Sequence, residues 1–258
     1  MGLNWSSIAR THSAPTGPAA FDADLSAQNI LAAATEGFYC FPASSPEETL
    51  INEIRYAADT EFGNIHINLD TGDPYSVAWL CPDRRPITDL VTRRTGRTMR
   101  RFARLRAEWR TSIDTAFDAV VDACSNGREA TWITDTVRAS LRELHRDGVA
   151  HSCEVWNDDR LIGGVFGLQL GAVFTADSQF TLVEGAGKLA VVDLTTRFIE
   201  GGGRILDFQH ESEHAKNLGA TSVPRATYLD ALRHLRQVSV TIPREERHAA
   251  HIAEPVTV

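Results

Sequence analysis

The stretch HSCEVWNDDRLIGGVFGLQL, residues 151–170, decides the fold class of this 258-residue chain. Apolar and aromatic segments at Cys153–Trp156 and Leu161–Leu170 flank the polar run Asn157-Asp158-Asp159-Arg160, whose composition is typical of a turn. The pattern predicts a β-hairpin, and Gly171–Thr175 predicts a further strand directly after it.

The segments on either side of this hairpin alternate between helix and strand patterns. A helix is predicted from about Ala186 to Ile199, because three glycines at 201–203 follow it. Arg204–Phe208 is a short apolar run of the kind found in buried strands. Upstream, Arg110–Ile113 predicts a strand and Asp114 the cap of the first of two helices. The predicted element order, β-α-α-β-β-β-α-β-α, indicates the α+β class.

The first hundred residues predict a second, smaller α+β domain. A helix that begins after Asp24-Leu25-Ser26 and ends at Gly37 precedes two strand patterns, Asn64–Leu69 and Tyr75–Leu80. The extreme N-terminus is rich in Ser, Ala and Pro without periodicity, which is typical of a flexible arm. The predicted organisation is an arm over 1–21, a small domain over 22–108, a larger domain over 109–240 and a tail over 241–258.

Charge is distributed unevenly along the chain. The formal net charge is −8, yet residues 84–110 carry ten arginines against Asp89 and Glu108. One basic segment on an acidic protein favours a polyanionic partner that docks in one direction, such as RNA. A solvated helix face with an arginine bias is the alternative.

The sequence also bears on where the protein works. No apolar run approaches the roughly 20 residues needed to cross a bilayer, and the N-terminus lacks a secretory signal pattern, so no membrane partner is expected. The four cysteines show neither C-x-x-C spacing nor the density of a disulfide framework. We therefore expect a cytoplasmic protein with no metal site.

Four blocks in one order carry a family resemblance. HSCEVW (151–156), GGVFG (163–167), ILDFQ (205–209) and HAKNLGA (214–220) together resemble the C-terminal half of leucyl/phenylalanyl-tRNA–protein transferases. Weaker likeness extends upstream through Trp79–Arg85 and Thr98–Phe102. The resemblance implies a GNAT-like acyltransferase core, aminoacyl-tRNA as co-substrate with no other cofactor, and an amine acceptor, either a small molecule or a peptide N-terminus.

The resemblance also implies catalytic residues. The family's Asp-x-Gln stands here as Asp207-Phe208-Gln209, and strand alternation predicts that Asp207 and Gln209 point into one pocket. Gln209 would hydrogen-bond the reacting amine or carbonyl, and Asp207 would orient it and help to accept the proton. Glu154 is the third catalytic candidate. We expect structural roles for His151 and His214.

Further positions are predicted to bind substrate or tRNA. Trp156 and Phe41 are aromatics that could stack on the terminal adenine, and the adjacent glycines Gly163 and Gly164 could admit a ligand or simply form a bulge. The predicted tRNA-binding residues are arginines of the basic segment, namely Arg84, Arg85, Arg97, Arg100, Arg101 and Arg104.

One segment departs from the family pattern. Where the family has G-E-S-M-F-S, this chain has ADSQFT at 176–181, so that Asp177 and Gln179 replace Glu and Met on one strand face of the predicted substrate pocket. A more polar pocket predicts a specialised, natural-product-like pathway with a small amine or peptide acceptor. The alternative is an orthodox transferase that tags protein N-termini.

Two readings from other classes remain. Gly185-Ala186-Gly187-Lys188 at a helix start could hold a pyrophosphate, which would fit an acyl-CoA N-acyltransferase. A catalytically inactive RNA-binding module is also possible on charge grounds. The basic segment argues against the first, and the retained Asp207 and Gln209 argue against the second.

Overall fold

The computed structural model describes residues 2–92, 96–126 and 131–253. Its helices are α1 Trp5–Thr11, α2 Ala27–Ala34, α3 Pro46–Glu61, α4 Arg97–Arg104, α5 Phe117–Ser125, α6 Asp135–Arg146, α7 Ala186–Glu200, α8 Glu213–Asn217 and α9 Arg225–Leu235. Its strands are β1 Pro18–Phe21, β2 Tyr39–Pro42, β3 His66–Ile67, β4 Val77–Leu80, β5 Arg84–Asp89, β6 Trp109–Ile113, β7 Ala150–Asn157, β8 Arg160–Leu170, β9 Val173–Thr175, β10 Ser178–Thr181, β11 Ile205–Asp207, β12 Thr221–Pro224 and β13 Arg247–His248. The predicted α+β class is confirmed.

The chain forms two compact units. The first comprises Met1–Arg85, Gly127–Leu144 and Val223–Arg233, and the second Pro86–Asn126, His145–Ser222 and His234–Val258. The boundary predicted between residues 108 and 109 therefore falls inside one unit, because Pro86–Asn126 stays together. Each unit is assembled from segments distant in sequence.

The first unit contains a sheet of order β2-β4-β1-β3. The prediction of a flexible arm over 1–21 is wrong, since this segment supplies α1 and the central strand β1. The Asn4 side chain caps α1, and Trp5 and Ile8, three residues apart on one helix face, are 4% and 2% exposed. The Trp5 ring lies 4.8 Å from that of Trp79. Burial of these two side chains stabilises a segment whose composition alone favours disorder.

Local capping explains the other helices of this unit. Ser26 caps α2 as predicted, by accepting a hydrogen bond from the Asn29 N–H. Ser45 caps α3, and Pro46 occupies its first turn. The helix α3 is not among those predicted from the sequence, although Leu50, Ile51 and Ile54 lie at helical spacing. None of its residues is buried, so packing of this apolar side does not explain the helix.

A larger sheet of order β12-β5-β11-β9-β8-β7-β6-β13, with β10 added on β8, carries most of the second unit. The predicted hairpin is confirmed: β7 and β8 are antiparallel, with Cys153 opposite Val165 and Glu154 opposite Gly164. The strand β11 runs parallel to β9, so that Asp207 lies beside Thr175.

The core of the second unit lies between this sheet and α7. The helix is buried along almost its whole length, and Leu189, Leu194 and Phe198 are completely inaccessible. It packs on the apolar face of the sheet formed by residues such as Val165 and Leu206. Because α7 is held along its length, its first turn is a fixed wall next to β8 and β10. Across the described ranges, no helix is long and apolar enough to span a membrane.

Candidate active site

Asp207 and Gln209 meet at the end of β11. Strand alternation does not bring them together as predicted, because β11 ends at Asp207. The backbone instead turns into a left-handed conformation at Gln209, with φ +65°. The Gln209 backbone N–H donates to Asp207 Oδ1 at 2.8 Å. The Asp207 side chain is completely buried, whereas Gln209 is partly exposed. Asp207 therefore holds the turn that presents the Gln209 amide.

Gln209 is also joined to the segment that departs from the family pattern. Its Nε2 donates a hydrogen bond to Asp177 Oδ1 at 2.7 Å. Asp177 is fixed in turn, because its N–H donates to the Phe166 carbonyl. Gln179 follows on β10 and lies against the first turn of α7, near Gly187. The structure thus brings Asp207, Gln209, Asp177 and the α7 end of β10 into one region.

Glu154 lies elsewhere on the sheet. It is fully buried on β7, and its carboxylate accepts hydrogen bonds from the Ser112 and Ser152 hydroxyls at 2.5 Å. Burial raises the pKa of Glu154, although these hydrogen bonds oppose the rise. The strand order and registers put it roughly 20 Å from Asp207, three strand spacings and about four residues away. With no exposed atom, Glu154 has a structural position instead of the predicted catalytic one.

The two predicted aromatic contacts have different settings. Trp156 is partly buried and donates from Nε1 to the Ser112 hydroxyl at 2.9 Å, so it shares that hydroxyl with Glu154. Phe41 belongs to the first unit, on β2, and its side chain is 47% exposed.

The glycines of β8 are explained by packing against protein. A Cβ on Gly163 would lie 2.7 Å from the Ala186 carbonyl carbon, and one on Gly164 would lie 2.9 Å from the Phe180 ring. The spaces beside both glycines are thus filled by α7 and by Phe180. Close helix–strand approach is therefore sufficient to account for the missing side chains at both positions.

The Gly185-Ala186-Gly187-Lys188 segment has the same explanation. Gly185 adopts φ +83°, and a Cβ there would overlap the Phe102 ring. A Cβ on Gly187 would overlap the Thr181 hydroxyl of β10. Both glycines are needed to seat the start of α7 on its neighbours, so neither requires a bound pyrophosphate.

The basic segment contains an amphipathic helix, α4. Ala103 is completely buried, and Met99 and Phe102 pack against the core of the second unit. The arginines lie on the remaining surface: Arg97, Arg101 and Arg104 are exposed and Arg100 is partly exposed. Arg84, on β5, is exposed as well. These five predicted tRNA-binding residues are accessible.

Two other arginines of the segment, Arg85 and Arg110, contact protein groups. Arg85 is only 2% exposed, with its guanidinium 4.6 Å from the Tyr228 ring centroid, and it donates to the Gly37 carbonyl at 3.1 Å. Its predicted tRNA contact is wrong, because the cation is enclosed by protein. Arg110 pairs with Glu246 at 2.8 Å. Arg93 and Arg94 lie outside the described residues.

Sequence reasoning missed a buried polar cluster around Asp114. This residue does not cap α5, which begins after Ala116; it adopts φ +60° and accepts hydrogen bonds from His151 Nδ1 at 2.8 Å and the Ser152 N–H at 2.9 Å. Although burial alone would raise the pKa of Asp114, His151, Ser152 and Arg244 together lower it. The feature that marks this cluster is the positive φ of Asp114, which is seen in the structure and not in the sequence.

The candidate active site is therefore a polar cluster of amide and carboxylate groups. In the described part of the chain, no group of three or more His, Cys, Asp or Glu is arranged to hold a metal ion. The Gln209 side chain is partly exposed; its amide is held by the Asp177 carboxylate and its backbone by Asp207. Such an amide can hydrogen-bond a reacting amine or carbonyl and fix its position.

Comparison with known proteins identifies the family. The model of the leucyl/phenylalanyl-tRNA protein transferase family matches residues 88–233, which include α4, α7 and the Asp207–Gln209 turn. A leucyl/phenylalanyl-tRNA–protein transferase of Salmonella paratyphi A is 41% identical over 167 residues, 64% of this chain and 70% of the relative. The Salmonella arizonae protein of the same name is 40% identical over the same shares. The chain belongs to the leucyl/phenylalanyl-tRNA–protein transferase family and is an aminoacyltransferase.

Proposed function

We propose that this protein transfers leucine or phenylalanine from its tRNA to the N-terminal amine of a protein. The observation that carries the proposal is the match of the family across the whole Asp207–Gln209 region, at 41% identity to a transferase of that name. Of the two acceptors predicted from the sequence, the similarity favours the protein N-terminus. It lends no support to the small-molecule acceptor of a specialised pathway.

In the proposed reaction, the acceptor amine attacks the carbonyl carbon of the aminoacyl ester. A C–N bond forms, the ester C–O bond breaks, and the proton lost by the amine is gained by the released ribose oxygen. Gln209 is the group that meets the reacting atoms, because it is partly exposed. Asp207 is a positioning residue, since it is fully buried and acts through the Gln209 backbone. Such positioning lowers the barrier mainly by reducing the entropy cost of alignment.

The exposed arginines of α4 would bind the phosphate backbone of the tRNA. Arg97, Arg101 and Arg104 project from a helix whose other face is anchored in the core, so the charges are held at fixed spacing. Fixed cations along a surface suit a phosphate backbone and steer its approach. The acidic remainder of the protein would disfavour other docking sites.

Two finer features are part of the proposal. The core of the second unit would be a GNAT-like acyltransferase core, as the order of β7 to β11 with α7 between β10 and β11 suggests. Asp177 and Gln179 would make the pocket beside Gln209 more polar than the family pattern does. The acyl-CoA alternative loses its main support, because protein contacts explain Gly185 and Gly187.

The proposal is tested by supplying purified leucyl-, phenylalanyl- and other aminoacyl-tRNAs together with a peptide that has an N-terminal arginine. We expect the peptide to gain one Leu or Phe residue, measured by mass spectrometry, and the reaction to stop after RNase treatment. Transfer from aminoacyl- or acetyl-CoA without RNA would contradict the donor. Transfer only to small amines would contradict the acceptor.

A further inference from the structure

A cleft of about 430 Å³ lies in the second unit, and residues 207–209 are not among those that line it. Helices α4, α7 and α8 and the end of β5 surround it. A volume of this size is in the range of small-ligand sites. Its lining includes Thr88, Asp89, Gly96, Thr98, Lys188 and Asn217.

The wall of the cleft contains a polar atom without a partner. Thr88 is 5% exposed, and its Oγ1 is buried with no hydrogen-bond partner among the described residues. A buried hydroxyl left unpaired costs roughly 1–3 kcal/mol, so natural proteins seldom retain one without use. Because Thr88 lines the cleft, a ligand there could supply the missing hydrogen bond.

The cleft also presents groups that suit a phosphate. The N-cap of α4 is Gly96, and no side chain of the described residues caps the helix N–H groups at this end. Lys188, an exposed cation at the start of α7, lines the same cleft. An uncapped helix N-terminus and an ammonium together favour an anion.

Other groups suit a sugar. Asp89 and Asn217 also line the cleft, and one Asp89 carboxylate oxygen already accepts from the Val91 N–H at 2.9 Å. A carboxylate disfavours a bare anion but accepts hydrogen bonds from ribose hydroxyls, as the amide oxygen of Asn217 can. The combination of anion-binding and hydroxyl-binding groups fits one ribose-phosphate unit.

We propose that this cleft binds one ribose-phosphate unit of the tRNA backbone. The inference rests on the proposed function, and it extends the RNA surface from the exposed arginines of α4 around the N-terminus of that helix. The cleft would fix the register of the RNA, whereas the arginines contribute mainly sequence-independent attraction.

The chain offers a direct test, because its only lysines are Lys188 and Lys216. Lys216 is exposed and lies outside the cleft lining, where it pairs with Glu213 at 2.7 Å, so it serves as an internal control. Acetylation of lysines is measured by mass spectrometry with and without unfractionated tRNA. We expect tRNA to slow acetylation of Lys188 several-fold more than that of Lys216. Equal rates at Lys188 with and without bound tRNA would overturn the proposal.

Variants provide the second measurement. Lys188→Gln should weaken tRNA binding about tenfold and lower the dependence of log affinity on log salt by about 0.7–0.9, whereas Lys216→Gln should change neither. Thr88→Val, which keeps the side-chain shape, should also weaken binding. Unchanged tRNA affinity of both Lys188→Gln and Thr88→Val would overturn the assignment to RNA. Protection of Lys188 from acetylation by millimolar inorganic phosphate, to the same degree as by tRNA, would overturn it as well. Absence of any tRNA complex in a gel-shift assay would instead mark failure of the proposed function itself.

Discussion

The side-chain amide of Gln209 donates a 2.7 Å hydrogen bond to the carboxylate of Asp177. This hydrogen bond links the turn retained from the family to the segment that departs from it. Any change at position 177 therefore acts on the orientation of Gln209 as well as on the shape of the pocket. The Asp207–Gln209 turn and the segment 176–181, which are separate in the sequence, are thus in contact in the structure.

Asp207 and Gln209 should behave as a coupled pair in catalysis. Asp207→Ala and Gln209→Ala should each lower kcat by on the order of 10²–10⁴, because each removes the positioned amide from the reacting atoms. The double variant should be little slower than either single one. Asp207→Asn should retain more activity than Asp207→Ala, since an amide oxygen can still accept from the Gln209 N–H. Single-turnover rates check this, and near-wild-type turnover of both alanine variants would disprove the assignment.

Restoring the family residues at positions 177 and 179 should change specificity. The double variant Asp177→Glu with Gln179→Met replaces a polar amide by an apolar side chain beside the first turn of α7. Removing a polar group that a substrate cannot pair is worth roughly 1–3 kcal/mol, so kcat/KM for phenylalanyl-tRNA should rise relative to tRNAs with polar amino acids. The measurement is competition between charged tRNAs. An unchanged ratio would show that these positions do not contact the aminoacyl group.

Charge reversal on α4 should cripple tRNA binding without unfolding the protein. Changing Arg97, Arg100, Arg101 and Arg104 to Glu should weaken affinity, and the slope of log affinity against log salt should fall by about 0.7–0.9 for every phosphate that the variant no longer neutralises. The control is Arg233→Glu, since Arg233 is an exposed arginine of α9 that pairs with Asp230. Circular dichroism verifies the fold. An unaltered salt dependence would make α4 an ordinary solvated helix.

Gly163→Ala should destabilise the fold, because its Cβ would lie 2.7 Å from the Ala186 carbonyl carbon and 2.8 Å from the Gly187 nitrogen. Overpacking of this kind costs about 1–3 kcal/mol. Gly72→Ala is the matched control, since its Cβ would meet nothing within 4 Å. Urea unfolding measures both. Wild-type stability of Gly163→Ala combined with loss of substrate binding would restore the ligand-binding role.

Mild acidification should lower the stability of the protein, because His12 is protonated more readily in the unfolded chain. Burial, and secondarily the charge of Arg225, lower the pKa of His12 to about 4 from 6.5. The unfolded chain therefore binds this proton more readily than the folded one, so stability is full above pH 6.5 and declines as the pH falls toward 4. His12→Gln should flatten the decline in Tm between these values. His248→Gln, at an exposed position, should not.

Much of the fold could be predicted from local sequence. The β7–β8 hairpin follows from two apolar segments around a polar turn, and α7 follows from its apolar run and the glycines after it. Such patterns depend on residues a few positions apart, so they predict an element without knowledge of the tertiary structure. The Asp207–Gln209 pair and the exposed arginines of α4 are likewise found from sequence blocks.

Tertiary structure decided the roles of single side chains. Composition predicts a flexible arm where Trp5 docks onto Trp79, and charge predicts RNA contact for Arg85, which Tyr228 covers. Glycines that suggest a ligand instead admit α7, and Glu154 is buried beneath Ser112 and Ser152. Sequence by itself determined the β7–β8 hairpin, α7, the α+β class and the family, because these depend on short-range sequence patterns. Which charges and glycines face solvent was decided only by packing, because burial depends on contacts between residues far apart in the chain.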